Sequence, residues 1–292
     1  MLDGQRNKMT LSRDKYVQVV RFVRRLRGKS QPILVEGIDG NLYVLKFGNN
    51  PQGPNVSFNE AAGSALYRGC RLSVPSWERL YVSKSFLDRN RGCWLVGPHG
   101  RKRPEPGLCF GTRFIMQRHA KVYEILPASY YARVQNRQSF WLAWILDVCC
   151  GHTSHREAIF VQKRGKILEA VFIDSGDILG GPRGSEDLVP WESPYCDVRI
   201  YPEIHDDELK APLRVLESLD GDGLRSQMRT LPLEWQTESA VARFERALNF
   251  IHAPLRLEAL VERLFQSGGI PERIAPASSE GKNSFRPLHL NP

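Results

Sequence analysis

The sequence predicts an α+β protein with two lobes, in which a β-rich N-terminal lobe precedes a mostly helical C-terminal lobe. Short runs of β-branched and aromatic residues dominate the first part of the chain, and apolar residues at helical spacing dominate the last part. Each periodicity is typical of one kind of element. The length of 292 residues is sufficient for two hydrophobic cores.

The composition is that of a globular protein with a positive net charge. Apolar residues make up 41% and charged residues 25%, which excludes wholesale disorder. Lysine and arginine number 41 against 32 aspartate and glutamate residues. The resulting charge of +9 favours an anionic partner, such as nucleic acid, nucleotide phosphates or an acidic protein surface.

The sequence predicts a cytoplasmic protein with no membrane partner. The six cysteines include no Cys-x-x-Cys pair, which argues against a disulfide scaffold or a zinc ribbon. No apolar run reaches the length of a membrane span. Residues 1–10 are polar and lack the hydrophobic segment of a secretory signal.

The N-terminal segment carries most of the excess positive charge. Residues 1–30 hold nine basic residues against Asp3 and Asp14, a difference of nine minus two, or +7. A solvated face and a nucleic-acid-binding arm both explain this composition, and the arm is the less favoured alternative. The basic residues are Arg6, Lys8, Arg13, Lys15, Arg21, Arg24, Arg25, Arg27 and Lys29.

The first elements form a strand-rich segment. Residues 16–23 are rich in β-branched and aromatic side chains and fit a strand or a short helix. Residues 33–36 and 42–47 form two strands of a hairpin, because Asp39-Gly40 between them is a turn signal.

A helix follows this hairpin after a loop rich in glycine and proline. It is predicted over residues 60–69, with Ser57 or Asn59 as its cap. Residues 88–111 hold many arginines, glycines and prolines and are predicted to be a long loop.

The second part of the chain begins with a helix that is apolar on all sides. This helix, within residues 136–149, is therefore predicted to be buried. A polar loop follows, and then residues 158–161 and 168–173 form a second β-hairpin. Apolar residues at helical spacing predict further helices from residue 241 onward. The predicted domains are a flexible basic N-terminus (1–13), a β-rich lobe (14–118), a helical lobe (119–267) and a disordered tail (268–292).

A β-rich lobe followed by a helical lobe is the layout of a protein-kinase-like fold, and it directs attention to Lys46. In that layout a strand lysine holds phosphates and a helix glutamate holds the lysine. Glu60 is the expected partner, because it opens the predicted helix. The alternative places Lys46 on the solvent side of its strand and makes Glu60 a first-turn residue favoured by the helix dipole.

Asp174 ends a second buried strand, in the order Asp174-Ser175-Gly176. A carboxylate at a strand end, followed by a glycine turn, can hold Mg²⁺ on a nucleotide. The alternative is an ordinary turn, because aspartate, serine and glycine are all common in turns.

The polar loop after the buried helix offers two further arrangements. Cys149, Cys150, His152 and His155 suggest a metal site, but adjacent cysteines point in different directions and no further ligand pair completes a tetrahedron. Ser154 beside His155 suggests a nucleophile and a base, but neighbouring side chains rarely face each other and no nucleophile elbow is present.

Several motifs taken together resemble the HipA-like kinase domain family. They occur in order over about residues 14–205, and two of them are Asn59-Glu60 and Ile173-Asp174-Ser175-Gly176. The others are Arg27 to Pro32, Tyr43 to Phe47, Asn50 to Gly53, Gly111 to Arg113, Leu126-Pro127, Asn136 to Phe140 and Arg156 to Phe160.

This resemblance implies a two-lobed fold with ATP and Mg²⁺ in the cleft between the lobes. Lys46 would bind phosphate, with Glu60 as its helix partner. Asp174 would bind the metal, and Asp147 matches an aspartate that precedes the catalytic loop. The substrate would be a hydroxyl group on a protein.

The sequence departs from the family pattern in the catalytic loop. The catalytic aspartate position falls on Ser154, and the metal-binding asparagine position falls near Ala158 or Ile159. A serine hydroxyl does not act as a carboxylate base near neutral pH, although His155 could substitute for it. The glycine-rich phosphate loop is reduced to residues 37–40.

Three functions remain open from the sequence. The first is a nucleotide-binding, pseudokinase-like protein with weak or lost phosphotransfer, and the second is an active protein kinase. The third is a non-catalytic module that uses its basic N-terminal face to bind nucleic acid or a partner protein.

Overall fold

A computed structural model describes most of the chain. The described residues are 16–115, 121–163, 165–184, 195–202 and 210–266, with the backbone alone for 264–266. The predicted flexible N-terminus and the predicted disordered tail lie outside them, so both stay predictions, as do the domain boundaries.

The strands are concentrated in the first part of the chain, and antiparallel pairing dominates. They are β1 (Val17–Arg25), β2 (Ile33–Gly37), β3 (Leu42–Lys46), β4 (Trp77–Val82), β5 (Leu95–Gly97), β6 (Gly100–Lys102), β7 (Gly107–Arg113), β8 (Val122–Tyr123), β9 (Glu157–Gln162) and β10 (Leu168–Ile173). Five of them close into a barrel in the order β1-β2-β3-β7-β4, in which β1 and β4 are the parallel neighbours.

The α-helices are concentrated in the last part of the chain. They are α1 (Val56–Gly69), α2 (Lys84–Arg89), α3 (Ser139–Cys149), α4 (Lys210–Glu217), α5 (Gly221–Arg229), α6 (Glu238–Ile251) and α7 (Pro254–Gln266). The mixed α/β composition, strand-rich and then helical, is confirmed. Within the described part of the chain, no helix is both long and apolar enough to cross a membrane.

The barrel has its own hydrophobic core. The segment 16–23, whose composition fits a strand or a short helix, lies in β1 from Val17 onward. The predicted hairpin is confirmed as β2 and β3, and its Asp39-Gly40 turn has Gly40 at a φ of +75°. Side chains such as Val35, Leu45 and Leu80 fill the barrel interior.

A second, larger core surrounds α3, whose side chains from Phe140 to Val148 are buried. The predicted second hairpin is confirmed as β9 and β10, and β8 adds a third strand to it. Helix α1 contributes Phe58, Ala61 and Leu66 to this larger core. Although α1 follows the barrel strand β3, it therefore packs mainly with the helical part of the chain.

Two predicted boundaries are wrong. Residues 88–111 are not one loop, because they contain the end of α2, the hairpin of β5 and β6 and the larger part of β7. Helix α1 begins at Val56, and the side chain of its cap residue, Asn55, makes no capping hydrogen bond to the helix. Glu60 therefore lies in the second turn rather than opening the helix, and Ser57 and Asn59 lie inside it.

The backbone of α1 lies very close to the residues that follow β10. A Cβ atom placed on Gly63 would be 2.3 Å from the Cβ of Ser175, which is far inside van der Waals contact. Only glycine permits this approach at position 63. It places the second turn of α1 beside the end of β10, and thus Glu60 beside Asp174.

Candidate functional site

Lys46, Glu60 and Asp174 meet at one point of the structure. Lys46 is the last residue of β3, and its ammonium group donates hydrogen bonds to Glu60 Oε1 and to Asp174 Oδ1, the second at 2.7 Å. Glu60 also accepts a hydrogen bond from the backbone N–H of Ser175 at 3.2 Å. Residues from a barrel strand, from α1 and from the end of β10 thus share one charge cluster, which we call the open cluster.

Only one edge of the open cluster reaches solvent. The side chains of Lys46 and Glu60 are 6% and 5% exposed, whereas that of Asp174 is 35% exposed. A ligand would therefore meet the Asp174 carboxylate first, with the ammonium group of Lys46 directly behind it.

Burial and mutual attraction shift the pKa of each group in the open cluster. Burial alone would lower the pKa of Lys46, but the charges of Asp174 and Glu60 outweigh it and raise that pKa. Burial raises the pKa of Glu60 above its ordinary value, against the opposing effect of Lys46. Burial would also raise the pKa of Asp174, but the charge of Lys46 outweighs it and lowers that pKa.

The turn between β1 and β2 lies at the same end of the barrel as Lys46. Ile33 pairs with Leu45 across β2 and β3, so the turn of residues 26–32 adjoins position 46. Asn50, in the loop that follows β3, donates to the carbonyl of Ser30 at 2.8 Å and ties that loop to the turn.

The phosphate loop expected at residues 37–40 lies at the other end of β3. Glu36 pairs with Leu42, and Gly37 N–H donates to Asn41 O, so this turn closes the hairpin away from Lys46. The four residue-to-residue steps from Leu42 to Lys46 span about 13 Å of strand. The turn at residues 26–32 is therefore the one positioned near the open cluster.

That turn has features of an anion-binding loop. Gly28 has a φ of +136°, and the exposed side chains of Arg27 and Lys29 flank it. The hydroxyl of Ser30 is buried and has no hydrogen-bond partner among the described residues. Basic side chains beside a glycine turn provide positive charge and room for a phosphate to approach the backbone.

A second buried charge cluster holds the backbone of Asp174 from behind. The Arg156 guanidinium donates to both oxygens of Asp147, at 2.9 and 2.6 Å, and Tyr67 donates to Oδ1 at 2.7 Å. Arg156 also donates to the carbonyls of Ile173 and Asp174, each at 3.1 Å. We call Tyr67, Asp147 and Arg156 the closed cluster, because the two charged side chains are 0% and 2% exposed.

Asn59 ties the chain after Asp174 to helix α1. Its side-chain amide donates to the carbonyls of Gly176, Ile178 and Gly181 at 3.0, 2.8 and 3.1 Å. These three carbonyls fix the orientation of the Asn59 amide, because its NH₂ group attracts their oxygens and its own oxygen would be repelled by them. Glu60 is the next residue, so this tie also holds the open cluster together.

The loop between α3 and β9 lies beside the open cluster but presents a different set of side chains. Thr153 N–H donates to Asp177 O at 2.9 Å, which joins this loop to the segment after Asp174. Ser154 is half-buried and its hydroxyl contacts the carbonyl of His155 at 3.4 Å, while His155 is exposed. Neither residue is part of the open cluster.

Glu157 is a carboxylate near the site that the sequence did not single out. It opens β9 directly opposite Ile173, the residue before Asp174. Burial, followed by the nearby charge of Asp174, raises the pKa of Glu157. Besides Glu60 and Asp174, the site therefore has a third carboxylate nearby.

The donor set suits a metal that is shared with a nucleotide. Among the described residues, no group of three histidine, cysteine, aspartate or glutamate side chains could hold a metal ion. Mg²⁺ commonly binds one or two carboxylates and takes its other ligands from phosphates and water. A half-exposed Asp174 beside a buried ammonium group fits that requirement.

The sequence predicted no role in the site for Tyr67, Arg156 or Asn59, although one signal pointed to the closed cluster. Asp147 is the one charged residue within the apolar helix α3. A buried carboxylate requires a partner, and Arg156 is the nearest arginine along the chain. Asn59 belongs to the Asn59-Glu60 motif, but no local signal predicted its contacts with the chain after Asp174, because asparagine is also common at helix starts.

Comparison with solved structures identifies the class of fold. The proinflammatory kinase CtkA of Helicobacter pylori matches this chain with a TM-score of 0.56 at 10% sequence identity, over 86% of this chain and 99% of its own. Two crystal structures of the Golgi casein kinase, one with Mn/ADP bound, match 85% of this chain and 74% of their own at 13% identity. Their TM-scores are 0.49 and 0.46.

The similarity to CtkA shows that this chain has a protein-kinase-like fold, as its element order predicts. No protein-family model matches the sequence. No curated protein matches it in a sequence search. The more specific resemblance to the HipA-like family stays a prediction.

Proposed function

We propose that this chain is a HipA-like kinase-fold protein that binds ATP and Mg²⁺ in a cleft between its two lobes, with weak or lost phosphotransfer to a protein hydroxyl. The observation that carries the proposal is the contact of Lys46 with both Glu60 and Asp174. These residues are 14 and 128 positions from Lys46 in sequence. A kinase needs this set of charges to hold a triphosphate and its metal.

Each residue of the open cluster has a separate task in this proposal. Lys46 binds phosphate oxygens, and Glu60 holds the ammonium group in place. Asp174 holds Mg²⁺, which when bound neutralises phosphate charge. The turn at residues 26–32 covers the phosphates, and Arg27 and Lys29 add positive charge there.

The closed cluster supports the site and does not react. Both oxygens of Asp147 accept hydrogen bonds from Arg156 or Tyr67, and its side chain has no exposure to solvent. A carboxylate in this state cannot take a proton from a substrate hydroxyl. We therefore assign Asp147 a positioning role through Arg156, which holds the backbone at Asp174.

Weak or lost phosphotransfer follows from the loop between α3 and β9. Its catalytic aspartate position is Ser154, whose hydroxyl cannot serve as a general base near neutral pH. His155 is exposed and is the remaining candidate base in the loop. Nucleotide binding does not require either residue, so it can persist when transfer is lost.

A thermal-shift measurement tests nucleotide binding directly. Saturating ATP with Mg²⁺ is expected to raise the melting temperature, because a ligand at a hundred times its Kd stabilises the native state by about 2.7 kcal/mol. Lys46→Met and Asp174→Asn are expected to abolish the shift. Lys166→Met, an exposed lysine between β9 and β10, is the matched control and is expected to retain it.

Radiolabelled phosphate transfer to protein tests the second part of the proposal. We expect little or no transfer from the wild-type chain, even when it binds ATP. An absence of any thermal shift at millimolar ATP would reject nucleotide binding. Robust transfer that survives Asp174→Ala would reject the assignment of the metal site.

A further inference from the structure

The segment between β4 and β7 builds a positively charged surface beside the candidate site. It contains α2 and the hairpin of β5 and β6. Gln31 joins this hairpin to the turn of residues 26–32, because its side chain donates to Val96 O at 2.8 Å and accepts from Val96 N at 2.7 Å. The same turn adjoins Lys46, so the hairpin and the open cluster both adjoin one turn.

The indole of Trp94 organises two arginines on this surface. The guanidinium carbons of Arg25 and Arg101 lie over the ring, 3.6 and 4.1 Å from its centroid. Arg25 also donates to the carbonyl of Trp94. Cation–π contacts hold the two charges in fixed positions without neutralising them.

Few carboxylates compensate this surface. We define the basic face as six residues, and its exposed members lie on the 26–32 turn, on β6 and just after β6. Among the described residues, Asp88 is the carboxylate in ion-pair contact with it, at 3.8 Å from Arg103, and Asp88 is also bound by Lys84. The members of the basic face are Arg25, Arg27, Lys29, Arg101, Lys102 and Arg103.

A hollow of about 310 Å³ lies at the tip of the hairpin. Pro51 and Pro98 line it together with His99 and the β6 residues Arg101 and Lys102. A lining that combines proline rings with basic side chains suits an apolar side chain flanked by acidic ones.

We propose that the basic face docks an acidic segment of a protein partner, with an apolar side chain of that segment in the hollow. This docking proposal deepens the proposed function, because the docked segment would lie beside the phosphate end of the cleft. Its link to phosphotransfer rests on the proposed function. The partner of this site is thus a polypeptide rich in glutamate and aspartate.

The surface favours a polypeptide over nucleic acid. Single-stranded nucleic acid binds proteins by stacking its bases on open aromatic rings, but the guanidiniums of Arg25 and Arg101 already lie over the Trp94 ring. The chain's own residues 1–15 do not complement the face either. They carry four basic residues against Asp3 and Asp14, a net charge of +2.

Fluorescence anisotropy of a labelled peptide tests the proposal on the full chain. The probe is a fluorescein-labelled peptide of glutamates with one central leucine. We expect binding that weakens at least about tenfold in Arg101→Glu/Lys102→Glu, because charge reversal on an interface repels the partner. Replacing the leucine of the probe by serine is expected to weaken binding as well.

The double variant Arg246→Glu/Arg256→Glu is the matched control. These exposed arginines lie on α6 and α7, and their reversal changes the net charge by the same amount. The control variant is expected to bind the peptide within about twofold of wild type, because separated exposed charges are screened by salt. An equal loss in both double variants, or no loss in either, overturns the proposal.

Two further arms separate the alternatives. A single-stranded RNA that binds more tightly than the peptide, and is lost in Arg101→Glu/Lys102→Glu, would overturn the polypeptide assignment. Lys46→Met is expected to lose the ATP thermal shift but to keep peptide binding. Peptide binding in a wild-type chain that shows no ATP shift would reject the proposed function and leave the docking surface standing.

Discussion

The open and closed clusters are two buried sets of charges that share two pieces of structure, helix α1 and the end of β10. Each joins helix α1 to the end of β10, and each contains one cation. In the closed cluster, Arg156 and Tyr67 satisfy both oxygens of Asp147, and both charged side chains are buried. In the open cluster, one lysine serves two carboxylates, and Asp174 is still 35% exposed.

The difference separates a structural role from a binding role. A buried carboxylate with every oxygen occupied has nothing left to offer a ligand, and it stabilises the site around it. In a cluster with one cation for two carboxylates, the carboxylate at the exposed edge can still bind a further cation. The closed cluster therefore holds the framework, and the open cluster is the place where a metal and phosphates would bind.

The largest expected effect is on the closed cluster. Arg156→Met would leave Asp147 buried without its cation, which costs about 3–5 kcal/mol of unfolding free energy. Urea denaturation measures this loss. The double variant Asp147→Leu/Arg156→Met is expected to recover most of it, since it removes the unpaired charge. A loss below about 1 kcal/mol in Arg156→Met is typical of an exposed ion pair and would contradict the structural role of the closed cluster.

A smaller effect is expected when the open cluster loses its cation. Lys46→Met is expected to cost about 1–2 kcal/mol in the same urea experiment. The cost is limited because water already reaches Asp174, and because burial favours a proton on Glu60. A cost equal to that of Arg156→Met would show that the carboxylates of the open cluster depend on their cation as strongly as Asp147 does in the closed cluster.

The pH dependence of stability sharpens the comparison further. The pKa of Glu60 is raised in the folded state, so its contribution is fully present below the ordinary glutamate pKa of 4.5 and is lost as pH rises through the folded value. Glu60→Gln cannot ionise. We therefore expect wild type to lose stability relative to Glu60→Gln as the pH is raised above 4.5, measured by denaturation at several pH values. A difference that is flat with pH, or that grows in favour of wild type, contradicts the raised pKa.

Asp174 gives the opposite sign in the same experiment. Its folded pKa is lowered, so its contribution is present above the ordinary aspartate pKa of 3.8 and is lost as the pH falls below that value. Asp174→Asn is therefore expected to differ most from wild type at neutral pH and least in acid.

The smallest effect is expected at an exposed ion pair. Arg21 on β1 pairs with Glu36 on β2, and the Arg21 side chain is 62% exposed. Arg21→Ala is expected to change the free energy of unfolding by less than about 1 kcal/mol, because water solvates both charges. A larger loss would mean that an ion pair stabilises the fold even when it is exposed. Burial would then not explain why the two clusters matter for stability.

Much of the fold was predictable because local signals agreed with it. The Asp39-Gly40 turn between apolar runs predicted the hairpin of β2 and β3, and the continuous apolar run in α3 predicted a buried helix. The order of strands and helices then predicted the protein-kinase-like fold. These features depend on residues that are close together in the sequence, so they can be predicted from one sequence alone.

The remaining errors arise where distant contacts decide the structure. Ser57 and Asn59 look like caps, but they lie inside α1, where Asn59 contacts the chain after Asp174. The hairpin of β5 and β6 is short and β6 is fully exposed, so its sequence resembles a loop. Asp147 within an apolar helix indicates that a buried partner exists, but the pairing with Arg156 depends on how α3 packs beside β9.

Asp174 adopts a left-handed backbone conformation, with a φ of +54°. Few residue types tolerate this geometry: glycine does so freely, and asparagine and aspartate do so better than alanine or any β-branched residue. The backbone conformation alone therefore limits which residues can replace Asp174, apart from the chemistry of the carboxylate. Evolution or protein engineering could silence the carboxylate at little conformational cost through asparagine or glycine, whereas alanine would combine lost chemistry with backbone strain.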